Sequence, residues 1–318
     1  FTAVHLSPSK GIFRGTGAVS LTGESSPNQL IQHSEGFQHI AFSGRDGKDS
    51  EFPKSLMGVI STIRQTILEA QDHLREKSEN LDGLYNPSLD ALEPLLNGIK
   101  MVLIEPGSVL MSARASSLAE SFGIRYGLIA SGQEWRRPDL IKQIDAPFIV
   151  PVNFPEIPKL PEDDDWDALS LDLLRHWDWA PETPALLASQ GHRLALTLYS
   201  LNDRKEFRKK LKQAIERGLP KQSAIAALTT VPAELCGLSD SMGTLVAGKQ
   251  ANFTIIKGDD YFLPDNPVES TWVQGARYPN DQFDSSVEKD HKESETKAED
   301  EPIERLARSP LEDHPSQV

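Results

Sequence analysis

From about residue 100 the apolar positions fall into short runs that alternate with stretches of helical spacing. Met101–Ile104, Tyr126–Ala130, Phe148–Val152 and Leu194–Leu198 read as strands. Val109–Phe122, Arg137–Ile144, Pro184–Gln190 and Arg204–Arg217 read as the helices between or after them. Strand alternating with helix predicts a largely parallel sheet, open or closed. Upstream, Phe1–Leu6, Ala18–Leu21 and Gly36–Ser43 predict strands, and the glycine-punctuated stretch Ser7–Pro27 predicts loops around the second of them. Lys54–Lys77 has Leu56, Ile60, Ile63, Ile67, Leu68 and Leu74 near helical spacing, and a second helix at about Ser88–Leu96 stops at Asn97-Gly98.

The insert KLPEDDDWDALSLDLLRHWDWAPE (Lys159–Glu182) interrupts this beat. It is acidic, and its Trp166, Trp177 and Trp179 predict a lid-like helix packed on the rim of the sheet. After a helix at Pro220–Leu228, SMGTLVAGKQANFTIIKGD reads as turn, strand, turn, strand, and ESTWVQGARY as a strand pair around Gln274-Gly275. From about Pro279 the pattern ends. The remainder is charged, has almost no aromatics and holds about half of the net charge, so a disordered tail is expected, with a short helix at Ile303–Leu306.

Composition narrows the classes. The 318 residues have a net charge of −14 and a pI near 5.1. An acidic chain argues against nucleic-acid binding, which needs clustered Lys and Arg. Cys236 is the single cysteine, which excludes an internal disulfide and a cysteine-based zinc site. No apolar run approaches the ~18 residues of a membrane span. The spacing Gly11, Gly15, Gly17 does not make a dinucleotide loop, since position 20 is Ser20, and no Gly-x-Ser-x-Gly elbow is present. Cys236, between Leu235 and Gly237 after a helix, reads as a packing thiol.

The segment AIAALTTVPAELCGLSDSMGTLVAGKQANFTIIKGD (Ala224–Asp259) resembles the C-terminal signature of the metal-dependent amidohydrolase superfamily. Thr230, Pro232, Ala233, Gly237, Leu238, Gly243, Leu245, Gly248, Lys249, Ala251 and Asn252 carry the match. GIFRGTGAVSL, SLMGVISTIRQTILEAQ and RHWDWAPETPALLASQGHRLAL resemble its imidazolonepropionase-like branch, so the resemblance spans about Phe1–Tyr278. It implies a partial (β/α)8 TIM-type barrel over 1–240, with at least the first strand lying before Phe1. It implies a remnant of the family's small β-domain at 241–278, its partner strands also outside the sequence, and leaves the disordered acidic tail at 279–318.

The resemblance also implies chemistry. Intact members hold one or two zinc-type divalent metals that supply hydroxide at neutral pH. Their ligands are a His-x-His pair after strand 1, a Lys or carboxylate after strand 4, single histidines after strands 5 and 6, and an aspartate after strand 8. Here there is no His-x-His, and the eight histidines are isolated. Tyr126–Ala130 ends at Ser131-Gly132, where relatives often have histidine before glycine, and Leu194–Leu198 ends at Tyr199-Ser200, where they have Asp-Gly. A phenol, with a pKa of about 10, is a poor ligand and a poor base at pH 7. Ser131 and Tyr199 are therefore expected to be degenerate positions, and no cofactor is expected for this chain.

Three residues remain as candidate chemistry. Glu105, at the end of Met101–Ile104, is a metal ligand or base, or a salt-bridged carboxylate. Asn153, just past Phe148–Val152, is a hydrogen-bond donor facing a site. His176, in RHWDW, is a site histidine or, more ordinarily, a structural one. His192 precedes its strand at the opposite end, where structural roles prevail, and His39 reads as a sheet-face residue. The expected function is an amidohydrolase-like hydrolase acting on non-peptide C–N bonds, with this barrel not competent alone. The alternative is a non-catalytic scaffold or partner module. Expected partners are a missing N-terminal segment, a second amidohydrolase domain or another copy of the chain. The resemblance implies a bacterial protein of the periplasm or envelope, with cytoplasm the alternative.

Overall fold

The computed structural model of the chain describes residues 1–43, 52–79, 85–158 and 169–280. Residues 281–318 of the expected tail, with the helix expected at Ile303–Leu306, the acidic triplet Asp163–Asp165 and Trp166 lie outside the described residues, whereas Pro279, where the tail was expected to start, ends β12. The strands are β1 (Ala3–Leu6), β2 (Phe13–Thr16), β3 (Ala18–Leu21), β4 (Ile31–His33), β5 (Gln38–Ala41), β6 (Val102–Glu105), β7 (Tyr126–Ile129), β8 (Phe148–Pro151), β9 (Leu194–Thr197), β10 (Phe253–Ile256), β11 (Val268–Val273) and β12 (Ala276–Pro279). A six-stranded sheet has the order β2-β5-β6-β7-β8-β9. β5 to β9 run parallel, and β2 pairs antiparallel with β5. β2 and β9 do not pair with each other, so the sheet is open and no closed barrel forms among the described residues.

Period-two alternation sorts each parallel strand between two faces. Ile40, Val102, Ile104, Leu128, Phe148, Val150, Leu194 and Leu196 turn to the helices and join Ile63, Ile67, Leu118, Ile141, Leu187 and Leu211 in one buried core. Each such side chain, fully buried, contributes roughly 1.5–3 kcal/mol. The helices start where their caps dictate. Ser55 Oγ accepts from the Gly58 amide ahead of helix Leu56–Ser78, Ser108 Oγ from Met111 ahead of Val109–Ser121, and Ser170 Oγ from Leu173 ahead of Leu171–Trp179.

Three local expectations change. The helix expected at Ser88–Leu96 splits into Pro87–Asp90 and Glu93–Leu96, because Pro94 has no amide proton to continue the first ladder. The stretch expected as loop around Gly11–Gly17 contains β2, with its register shifted between Phe13 and Gly15. The first of the two strands expected in SMGTLVAGKQANFTIIKGD does not form. Leu245 and Val246 there are 79% and 62% exposed, with no sheet to pack on. The hairpin at Gln274-Gly275 is as expected, with both residues at positive φ (50° and 84°) between β11 and β12.

Two small antiparallel sheets, β1-β3-β4 and β10-β11-β12, stand apart from the main one. They share a core of Val19, Leu21, Leu238, Met242 and Val273, with Cys236 and Tyr278 packed against it. Strands near the start of the chain thus take the place beside the C-terminal sheet that the sequence reading assigned to absent partners. His5 of β1 stacks on His39 of β5 with ring centroids 5.0 Å apart, tying a small sheet to the large one. A Cβ at position 17 would collide with the His5 ring and the Leu6 carbonyl, so Gly17 is what lets these strands approach.

Burial lowers both histidines to about 4, His39 being further lowered by the charges of His5 and Arg14. The unfolded chain, with histidine pKa values near ~6.5, binds two more protons than the native one between those limits. Stability from this pair is therefore complete above pH ~6.5 and is lost as the pH falls toward 4. Ion-paired aspartates such as Asp139 and Asp260, held low by Arg137 and Lys221, act only below that window. Urea midpoints measured from pH 7 to 4 should fall steadily in the native chain and fall less in His39→Phe. Equal slopes would show that the pair does not couple protons to folding.

Candidate functional site

Period two also builds the site. The residues alternating with the helix-facing set lead along each strand to its C-terminal end: Leu103 to Glu105, Ile129 to Ser131, Pro151 to Asn153, Thr197 to Tyr199. Those ends line a cleft of about 210 Å³, which His176 reaches from helix Leu171–Trp179. The sequence-derived positions Glu105, Ser131, Asn153, His176 and Tyr199 all lie on this one cleft. His192 lies elsewhere, edge-on to Phe148 with ring centroids 5.0 Å apart, and His39 is buried at 4% exposure.

Glu105 is the single acidic residue on the cleft wall among the described residues. Its Oε2 accepts from Arg14 Nη1 at 2.5 Å and from the Tyr199 hydroxyl at 3.1 Å. Burial and then the Glu105 charge raise the Tyr199 phenol above its ordinary range. Tyr199 therefore stays protonated at neutral pH and donates; it cannot serve as a base there. Sequence reasoning missed Arg14. Its only local signal is a glycine-rich stretch that reads as loop, while the structure puts it in a bulge of β2.

Ser131 is held from below. Its amide and its Oγ both donate to Glu134 Oε1, at 2.7 and 2.9 Å. Glu134 is fully buried, and burial raises its pKa. Glu134 was also unseen in the sequence, where EWRR reads as an ordinary charged turn. His176 belongs to an aromatic tier. Its ring stacks on Trp135 at 6.4 Å, Trp135 meets Trp179 at 5.7 Å, and the Arg136 guanidinium lies 4.6 Å over the Trp135 ring. Of the insert's tryptophans Trp179 meets Trp135 while staying 46% exposed, and burial keeps His176 neutral, aided by the Arg136 charge.

Residues 196–278 match the profile of the amidohydrolase family. That match runs from the last strand of the main sheet through the C-terminal small sheet, and leaves residues 1–195 outside it. Its fold is similar to that of an amidohydrolase from Thermotoga maritima MSB8, with a TM-score of 0.74 and 18% identity over 88% of this chain and 72% of that one. A Xaa-Pro dipeptidase with bound methionine (TM-score 0.45, 17% identity, 60% of this chain and 47% of that one) and Aspergillus niger ochratoxinase (0.40, 16%, 62% and 46%) are more distant and add nothing to the fold assignment. A search of curated proteins finds no match.

The amidohydrolase resemblance implies a divalent metal, and the residues of the cleft can be tested for one. Among the described residues no three His, Cys, Asp or Glu side chains come together. The wall's one carboxylate has an oxygen shared between Arg14 and Tyr199, and His176 Nδ1 is buried without a partner. These residues do not fit a metal-ligand set.

Replacing Ser131 by Ala removes one donor to the buried Glu134 carboxyl and leaves the Ser131 amide in place. Urea unfolding of Ser131→Ala should show a loss of about 1 kcal/mol. An unchanged midpoint would mean that Glu134 does not depend on the hydroxyl.

Proposed function

We propose that this chain is the cleft-bearing part of an amidohydrolase-like hydrolase for non-peptide C–N bonds, and that it does not hydrolyse them by itself. One observation carries the reading. The strand ends gather Glu105, Ser131, Asn153, His176 and Tyr199 on one cleft, yet supply one carboxylate and one histidine to it. That wall can bind and orient a small molecule through the Tyr199 hydroxyl, the Asn153 amide and the free valences of Glu105. It offers no strong base or metal-bound hydroxide for attack on an amide. The remaining groups would come from a longer chain, a second amidohydrolase domain or another copy.

The open sheet is read as part of a (β/α)8 barrel, with β5 to β9 as five consecutive strands of it. The similarity to the Thermotoga amidohydrolase supports that geometry. The imidazolonepropionase-like branch rests on the sequence stretches quoted above. A scaffold role is favoured by a separate observation: among the described residues β2 and β9 each pair on one side only, so each leaves a sheet edge open to another strand.

The 318-residue chain, assayed with added Zn²⁺ or Mn²⁺ against linear amides, lactams and cyclic imides, should show no turnover above buffer. Metal-dependent turnover that disappears in Glu105→Gln would overturn the reading.

A further inference from the structure

We propose that the Arg14 guanidinium is the resident cation of the cleft, seated on Glu105 where a divalent metal would have to sit, so that the cleft takes its ligand without one. The proposal holds whether or not any bond is hydrolysed there. It starts from Glu105, whose side chain is 24% exposed and therefore needs a counter-charge close by. Arg14 supplies it at 2.5 Å and is itself 10% exposed. A guanidinium stays charged at every working pH, and its planar fork suits a carboxylate better than an ammonium does.

Placement argues in the same direction. Phe13 pairs with Ile40 and Gly15 with His39, so Arg14 is the extra residue of a bulge in β2. Bulges re-aim a side chain that regular pairing would send elsewhere. Gly15, at φ 88°, provides the turn that this needs. The groups around the guanidinium are Glu105 and Tyr199 from β6 and the end of β9, and His39 from β5, which burial keeps neutral. Tyr199 donates to the same carboxylate oxygen as Arg14. A metal ion brought to Glu105 would face an adjacent fixed positive charge, and Oε2 would already be shared between two donors.

The test is calorimetric titration of the full chain with MnCl₂ and, separately, with methylguanidinium chloride. The native chain should take up neither stoichiometrically. Arg14→Ala should bind one equivalent of one of them at least tenfold more tightly than the native chain, and Arg14→Ala with Glu105→Gln should lose that binding. Stoichiometric Mn²⁺ binding by the native chain that Glu105→Gln abolishes would overturn the proposal. So would a folded Arg14→Ala that binds neither cation. If Arg14→Ala does not fold, recovery of folding in the double variant supports the assignment, because removing the pair together removes the unpaired charge. Continued unfolding of the double variant overturns it.

Discussion

Everything in the cleft depends on the alternation of side chains along five parallel strands. One face must be apolar because the helices bury it, and Phe148, Leu128 and Val150 are almost inaccessible there. The same period then hands the alternate residues to the other face. A single shift in register would exchange Glu105 with Ile104 and Tyr199 with Leu198, placing a carboxylate among the helices. Burial on the helix side therefore fixes which side chains the strand ends can offer a ligand. Packing and chemistry are two outcomes of one constraint.

In and beneath the cleft, the two carboxyl groups take their hydrogen-bond donors from the protein. Glu105 has Arg14 and Tyr199, and Glu134 beneath the floor has the amide and hydroxyl of Ser131. The two arrangements differ in kind. The first joins strands far apart in sequence and opens to solvent. The second is local: Glu134 is buried beneath the floor while Ser131 lines the cleft, which ties Ser131 to the stability of its turn.

The rest of the molecule frames this sheet. The stacked His5 and His39 rings join the N-terminal small sheet to the main one. On the other side, Arg208 donates to the carbonyls of Tyr261, Leu263 and Asn266, which fastens the loop after β10 to helix Phe207–Glu216. A guanidinium can serve three carbonyls at once because its donors diverge in one plane. The small sheets are thus held by polar contacts as well as by their own core.

Much of this was legible in the sequence. The alternation of strand and helix, the hairpin at Gln274-Gly275 and the end of each parallel strand follow from local periodicity and turn chemistry, which need no distant partner. Because a parallel strand places its C-terminal end at one rim of the sheet, the positions just past those strands could be named in advance as Ser131, Asn153 and Tyr199. What depended on distant segments was not legible. Arg14 sits 91 residues from Glu105 in a stretch that reads as loop, and its bulge exists only because β5 pairs beside it. Strands β1, β3 and β4 found their place against the C-terminal sheet through a shared core that no local pattern announces. The sequence by itself determined which residues reach the strand ends, because side-chain period is a local property. Only the tertiary structure decided what those residues meet there, because the charge that compensates Glu105 arrives from a strand whose pairing is long-range.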